Sequence, residues 1–166
     1  MSLPKPYYET ELGKLYLGDC LTMLPHLEPV DLVLTDPPYG TEELGGGYGR
    51  RQNYDPEGRF GRRIIGDNDL STFQGFINTV KIHKPGAIVS FCAARKMDEV
   101  YEMFKKRELM FFGELIWDKG TPGLGYTIRY SHESAFVFVN GEIVTPLKAL
   151  NSVVRSQVSH NNNHKK

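Results

Sequence analysis

One tetrapeptide in this 166-residue sequence has a composition suited to chemistry: Asp36, Pro37, Pro38 and Tyr39 directly follow the apolar run "VDLVLT". The two prolines lack N–H groups and fix φ, so the turn is stiff and rich in hydrogen-bond acceptors. The Asp36 carboxylate and the Pro37 carbonyl supply acceptor oxygens, and Tyr39 supplies a flat face for stacking. Together these groups suit a planar ring that carries an exocyclic amino group, as a nucleobase does.

The chemistry that such a site favours is the transfer of a group to that amine. An aromatic amine is a poor nucleophile because its lone pair is delocalised into the ring. Acceptors that hold both amine hydrogens out of the ring plane would favour an sp³-like nitrogen and stabilise the positive charge that develops as it attacks an electrophile. Taken alone, however, the tetrapeptide is more often an ordinary turn at the end of a strand.

The segments around the tetrapeptide alternate between strand and helix patterns. Strands are predicted at residues 14–17 and in "VDLVLTD", "AIVSFC", "MFFGELIWD" and "SAFVFVN", and helices in "CLTMLPHL", "LSTFQGFINTVKIHK" and "RKMDEVYEMFKKRE". The Val/Leu run before Asp36 is typical of a strand buried on both faces of a parallel sheet. The alternation predicts an α/β fold with a mostly parallel sheet, whose ligands bind beyond the carboxyl ends of the strands, where Asp36 falls.

Composition indicates a single soluble globular domain, with 40% hydrophobic and 24% charged residues. Twenty basic and twenty acidic residues leave no net charge. This balance counts modestly against a nucleic-acid partner, because the phosphate backbone favours a positive excess, and only a local basic patch would compensate.

The cysteines and histidines suggest neither disulfides nor a metal. Cys20 and Cys92 are far apart and form no C-x-x-C pair, and the five histidines show no ligand spacing with them. The sequence shows no signal peptide and no apolar run approaching the roughly 20 residues that span a bilayer. We therefore expect a reduced, cytoplasmic protein that binds neither metal nor membrane.

Several segments in combination resemble one family. "TDPPYG", preceded by "LYLGDC" and followed by "IIGDND", "GAIVSFC", "IWDKGTPGLG" and "SHESAFVFV", resembles the amino-methylating DNA methyltransferases of the permuted β class, over roughly residues 14–141. The resemblance implies a Rossmann-like methyltransferase fold, S-adenosylmethionine as the cofactor and DNA as the partner, as in restriction-modification. The aspartate in first place is associated chiefly with N6-adenine methylation in this family, and a serine with N4-cytosine, so adenine is favoured.

The resemblance also implies roles for individual residues. Asp36, Pro37, Pro38 and Tyr39 correspond to the catalytic set that binds and stacks a base swung out of the duplex, at a cost of about a few kcal/mol. Asp19, Cys20 and Asp36 are the implied cofactor contacts, with Asp19 reading the adenosine part. The alternative for Asp19 is a simple turn carboxylate. The segment Trp117, Asp118 and Lys119 is either the end of a core strand or part of a substrate-side loop.

Residues 41–69 lack hydrophobic periodicity and are predicted to form a mobile loop rich in glycine and arginine, of a length that is usually functional or disordered. Its basic residues are candidates to grip DNA phosphates, and its aromatic residues are candidates to stack bases. A solvated surface is the equally weighted alternative. The residues concerned are Arg50, Arg51, Arg59, Arg62 and Arg63, with Tyr48, Tyr54 and Phe60.

One motif of the family has no counterpart. Its members continue into a "QKP"-like segment and a strand that ends in a glycine-rich "DPFxGSG"-type turn, which cradles the methionine part of the cofactor. Neither "GGGYG" (residues 45–49) nor "GLG" (residues 123–125) directly follows a strand and precedes a helix. We therefore expect an incomplete methyltransferase fold, with a partial catalytic domain over residues 1–140 and a polar tail over residues 141–166.

Three explanations of this incompleteness stay open: truncation, a split enzyme completed by a second chain or a homo-oligomer, and a remnant retained for DNA binding. Methylation of RNA or of a protein amide by the same amine chemistry is a less favoured alternative.

Overall fold

The computed structural model describes residues 3–40, 66–123, 128–142 and 151–155. The strands are β1 (Tyr8–Thr10), β2 (Gly13–Leu15), β3 (Val30–Thr35), β4 (Ile82–Cys92), β5 (Met110–Asp118), β6 (His132–Asn140) and β7 (Val153–Arg155). The α-helices are α1 (Cys20–Met23), α2 (Ser71–Thr79) and α3 (Met97–Lys105), and short 3₁₀ turns follow α1 and precede α3.

The main sheet has five strands in the order β3, β4, β6, β5, β7. β3 pairs in parallel with β4, and β5 pairs in parallel with β7. β6 runs antiparallel to both of its neighbours, β4 and β5. The sheet is therefore mixed, with only β6 reversed among the described strands, and the prediction of an α/β fold with a mostly parallel sheet is confirmed.

The hydrophobic core lies between one face of this sheet and the helices α2 and α3. Phe73 of α2 and Phe104 of α3 are fully buried, and both helices present apolar residues at helical spacing on this side. The Phe104 ring stacks on Phe138 of β6 with the ring centroids 4.0 Å apart. Each such buried side chain contributes about 1.5–3 kcal/mol of hydrophobic stabilisation.

The helix α2 ends earlier than its sequence pattern indicates. The helix predicted over "LSTFQGFINTVKIHK" is too long, because α2 ends at Thr79 and Val80 is already extended. Both Pro85 and Gly86 lie inside β4, whose first residue, Ile82, pairs with β3. Strand pairing thus overrides helical periodicity in this stretch.

The prediction that β3 is buried on both faces is wrong for the described residues. Val33 faces the helices and packs against the core, whereas Leu32 and Leu34 on the other face are 59% and 70% exposed. β3 is the edge strand of the described sheet, and α2 and α3 cover only the opposite face. The side chains of Leu32 and Leu34 therefore meet no covering element among the described residues.

The ends of the chain also differ from expectation. The strand predicted at residues 14–17 forms only as Gly13–Leu15, and it pairs with β1 in a separate hairpin. Within the predicted polar tail, Val153–Arg155 forms β7 beside β5, where Arg155 pairs with Asp118 at 2.7 Å. β-branched valines explain this strand within an otherwise polar segment.

No helix in the described ranges is long and apolar enough to cross a membrane.

Candidate active site

The Asp-Pro-Pro-Tyr corner lies directly beyond the carboxyl end of β3, as the sequence predicts. Pro37 is buried, Pro38 and Tyr39 are half-buried, and Asp36 is exposed. Among the described residues, none forms a hydrogen bond with the Asp36 carboxylate. Partial enclosure raises the pKa of Asp36 above its usual range, and the negative charge of Glu133 raises it further.

Tyr39 joins the corner to the hydrophobic core. Its side chain packs against the core cluster while part of it stays accessible. Burial raises the pKa of the Tyr39 phenol to about 12, with further contributions from the charges of Asp36, Glu133 and Asp67. The ring is therefore neutral over the whole physiological range and offers a flat face beside the Asp36 carboxylate.

Glu133 is a site residue that sequence reasoning missed. Because β6 is antiparallel, its first residues lie at the same end of the sheet as the last residues of β3. Glu133 accepts a hydrogen bond from the Lys119 ammonium at 2.7 Å. Both Glu133 and Lys119 fall in segments that resemble family motifs, and this likeness was the available signal in the sequence.

Asp67 is a second residue that sequence reasoning left without a role. It is buried, with 3% of its surface exposed. Its Oδ1 accepts hydrogen bonds from the backbone N–H groups of Tyr39 and Gly40, both at 2.9 Å. The motif "IIGDND" contains it, and this likeness was the one available signal.

The structure gives Asp19 a local role at the start of α1. Its Oδ1 accepts from the Leu21 N–H at 2.8 Å, which is the geometry of a helix N-cap. Both Asp19 and Cys20 are exposed. The turn function that was the alternative for Asp19 is therefore present.

The contacts of Asp118 lie in the turn after β5 and at the end of β7. Its carboxylate accepts from the Gly120 N–H at 2.8 Å and pairs with Arg155. These hydrogen bonds, first that from Gly120 and then that from Arg155, lower the pKa of Asp118. Asp118 thus closes a turn and joins two strands, in agreement with the structural interpretation of this segment.

The predicted DNA-contacting residues of the 41–69 segment lie outside the described residues; they are Arg50, Arg51, Arg59, Arg62 and Arg63, with Tyr48, Tyr54 and Phe60. Among the residues that the structure does describe, no three His, Cys, Asp or Glu side chains come together as a metal site.

The described residues fit S-adenosylmethionine only in part. Asp19 offers an exposed carboxylate that suits hydroxyl or amine donors of an adenosine. Two strand-to-helix turns lie wholly within the described ranges: the turn between β2 and α1 holds Gly18 alone, and the turn between β4 and α3 holds no glycine. Neither of these two turns forms a glycine-rich backbone cradle for the methionine part.

Comparison with known proteins identifies methyltransferases. No protein-family model matches the sequence. The type II methyltransferase M.BamHI of Bacillus amyloliquefaciens is 27% identical in an alignment of 117 positions that covers 64% of this chain and 23% of that protein. The crystal structure of M1.HpyAVI matches with a TM-score of 0.53 at 17% identity, and that of the M1.HpyAVI-SAM complex with 0.51 at 15%.

These matches show the fold of the chain and the share of each relative's length that it spans. Each of the two structural matches covers 86% of this chain and 66% of the solved chain. This chain thus has the fold of methyltransferases, and the resemblance predicted from the motifs is confirmed at that level. It spans 66% of the M1.HpyAVI structures and 23% of M.BamHI.

Proposed function

We propose that this protein is an S-adenosylmethionine-dependent DNA methyltransferase that acts on the exocyclic amino group of a flipped base, with adenine N6 favoured over cytosine N4. The observation that supports it most is the Asp36 carboxylate, open and unbonded among the described residues, next to the half-buried ring of Tyr39 at the carboxyl end of β3. The corner stands in a fold whose solved relatives include a methyltransferase in complex with SAM.

The corner acts on the amine by hydrogen bonding. The Asp36 carboxylate and the Pro37 carbonyl accept the two amine hydrogens and hold them out of the plane of the base, which frees the nitrogen lone pair. Tyr39 stacks on the base and fixes its plane. The Tyr39 phenol is neutral, so the stacked ring adds no charge beside the amine. S-adenosylmethionine would supply the electrophilic methyl group. The residues of this chain contribute orientation and stabilisation of the charge that develops on the nitrogen.

The charge state of the Asp36 carboxylate decides at which pH the corner can act on the amine. An ionised carboxylate accepts hydrogen bonds and stabilises a developing positive charge, whereas a protonated one does so poorly. Once the nitrogen has gained a methyl group it is acidic, and its proton leaves to Asp36 or to water. The raised pKa of Asp36 makes the carboxylate a better proton acceptor than an ordinary aspartate.

The substrate must present its base outside the stack, at a cost of about a few kcal/mol for a paired base. We propose that the arginines of the 41–69 segment contact phosphates and help to hold the distorted duplex. Residues other than the described ones would have to hold the methionine part of the cofactor. A second chain or a second copy of this chain is the partner we propose for that task, and the cytoplasm is the compartment we propose.

The experiment that tests the function uses labelled S-adenosylmethionine and genomic DNA from a host without DNA methylation, which offers every short recognition sequence. After incubation with the purified protein, the DNA is digested to nucleosides and analysed by mass spectrometry. We expect N6-methyladenine. N4-methylcytosine would correct the base assignment, and label found only with RNA or protein substrates would contradict action on DNA.

A second function, DNA binding without catalysis, is favoured by one observation: neither of the two strand-to-helix turns that the structure describes in full is glycine-rich. Titration separates the two functions. A chain that shows no affinity for the cofactor, but binds duplex DNA with a steep salt dependence, is a binding module. Restoration of both cofactor binding and methylation by an added second polypeptide identifies a split enzyme instead.

A further inference from the structure

Asp67 connects the candidate corner to the rigid part of the fold. It is almost fully buried, and its Oδ1 receives two successive backbone N–H groups, those of Tyr39 and Gly40, at 2.9 Å each. Two adjacent N–H groups that converge on one oxygen form a small anion-binding concavity. Hydrogen bonds to a charged acceptor are shorter and stronger than neutral ones, so this pair is a firm attachment.

The sequence of the corner explains why the attachment falls at these two groups. Pro37 and Pro38 have no N–H, so Tyr39 and Gly40 carry the first backbone donors after Asp36. Gly40 has a φ of +74°, and a Cβ at this position would lie 3.2 Å from a backbone atom of Asp69. The corner therefore passes close to the Asp67 segment (residues 66–69), and Gly40 has a backbone conformation that suits glycine.

The Asp67 segment is in turn fixed to α2. Gly66 has a φ of +85°, and an added Cβ there would lie 2.5 Å from Thr72 Oγ1. Asp69 Oδ1 accepts from the Ser71 N–H at 2.7 Å, at the start of α2. Since α2 is anchored in the core by Phe73, the carboxylate of Asp67 occupies a defined position relative to the sheet.

We propose that Asp67 is a positioning residue of the site: it holds the backbone of Tyr39, and thereby sets the plane in which the Tyr39 ring meets a base. This inference rests on the proposed function, since the ring is assigned its role there. Asp67 need not touch the substrate. Its effect is transmitted through the two N–H groups, and a misplacement on the order of 1 Å at a reacting group slows a reaction by about 100-fold.

The test compares Asp67→Ala, Asp67→Asn and the control Asp31→Ala. Asparagine keeps an oxygen that accepts from both N–H groups, whereas alanine keeps none. We expect Asp67→Ala to lower the kcat of methyl transfer by about 100-fold per folded molecule, with little change in the KM for DNA. Asp67→Asn should recover most of the rate. Asp31→Ala, which removes an exposed carboxylate on β3 outside the corner, should leave kcat unchanged.

A double-mutant cycle separates positioning from a merely structural effect. If Asp67 acts through Tyr39, Asp67→Ala adds little to the defect of Tyr39→Ala, and the double variant is about as slow as the slower single variant. Multiplicative defects in the cycle would overturn the inference. So would wild-type kcat in Asp67→Ala.

A structural readout keeps this inference distinct from the proposed function. In NMR spectra of the full chain, Asp67→Ala should expose the Tyr39 and Gly40 amides to exchange and shift the Tyr39 ring signals, while Asp67→Asn preserves both. Unchanged amide protection in Asp67→Ala would overturn the positioning role even if methylation is confirmed. If the wild type methylates nothing, the proposed function fails, and the spectra still decide whether Asp67 holds the corner.

Discussion

Lys119 and Glu133 form an ion pair, with Nζ and Oε1 2.7 Å apart, at the end of the sheet where β3 leads into the Asp-Pro-Pro-Tyr corner. The charge of Glu133 raises the pKa of Asp36 and that of Tyr39. Lys119 carries the opposite charge next to Glu133. Glu133 therefore tunes the carboxylate that we assign to the amine, although it does not belong to the corner.

Opposite substitutions in this pair should move the pKa of Asp36 in opposite directions. Glu133→Gln removes a negative charge and should lower that pKa, whereas Lys119→Met leaves Glu133 uncompensated and should raise it. The acid limb of methyl transfer should move with it, to lower pH in Glu133→Gln and to higher pH in Lys119→Met. Carboxyl-carbon NMR titration measures the pKa of Asp36 directly.

The matched control is the exposed ion pair of Lys105 and Glu102 on α3, 3.4 Å apart. Glu102→Gln removes the same charge from a different part of the molecule and should leave the titration of Asp36 where it is. A shift in the same direction for both Glu133→Gln and Lys119→Met would show that Glu133 does not act on Asp36 through its charge.

The stability of the fold should depend on Asp36 in the sense opposite to that of a salt-bridged carboxylate. Its pKa is raised in the folded state, so the folded state binds the proton more tightly than the unfolded chain. The stabilising contribution is full below the unfolded pKa, about 3.9, and is lost as the pH rises through the raised folded pKa. Asp36→Asn should therefore be more stable than the wild type at neutral pH and equal to it in acid.

Urea unfolding at neutral pH and below the unfolded pKa of aspartate checks this difference. A variant that is less stable than the wild type at neutral pH would mean that the ionised Asp36 carboxylate makes favourable contacts in the folded protein.

Gly40 should tolerate a side chain less well than another glycine of similar conformation. Gly40 and Gly120 have φ of +74° and +71°, but an added Cβ meets the backbone of Asp69 at Gly40 and nothing within 4 Å at Gly120. Gly120→Ala should cost about 1–2 kcal/mol of unfolding free energy from backbone conformation alone. Gly40→Ala should cost more and should also slow methyl transfer, because it displaces Tyr39. Equal costs in thermal or urea unfolding would exclude the close approach at Gly40.

The core beneath the site should follow ordinary packing energetics. Phe104 is fully buried and stacked on Phe138, so Phe104→Ala should lower the free energy of unfolding by about 3–5 kcal/mol. Phe112 on β5 is 56% exposed. Phe112→Ala should therefore change the free energy of unfolding by no more than about 0.5 kcal/mol. Similar losses in the two variants would contradict the assignment of the core to the α2 and α3 face.

Local patterns predicted much of this fold because they are set by neighbours in the chain. The strand "MFFGELIWD" and the amphipathic helix before it lie where their periodicity placed them. The exposure of Leu32 and Leu34 could not be read from the same patterns, since an apolar run does not reveal which of its faces another element covers. Likewise, β7 depends on pairing with β5 across a long stretch of chain.

The candidate site divides in the same way. Asp36 and Tyr39 are only three residues apart in sequence, and a stiff proline corner after a strand is recognisable from the residues themselves. Asp67 and Glu133 reach the corner only through the order of the strands and the course of the chain before α2. Their contribution is electrostatic and positional, and neither effect leaves a local signature in composition or periodicity.

The most direct test of the account compares methyl transfer by the wild type with that by Asp36→Ala and Asp31→Ala, using labelled S-adenosylmethionine and unmethylated DNA, with any partner chain that cofactor binding requires. Asp31 is an exposed aspartate on β3, outside the corner, and controls for the loss of one charge. We predict that Asp36→Ala loses at least about 100-fold in rate while remaining folded, and that Asp31→Ala matches the wild type. Undiminished transfer by a folded Asp36→Ala protein would contradict the role of the corner.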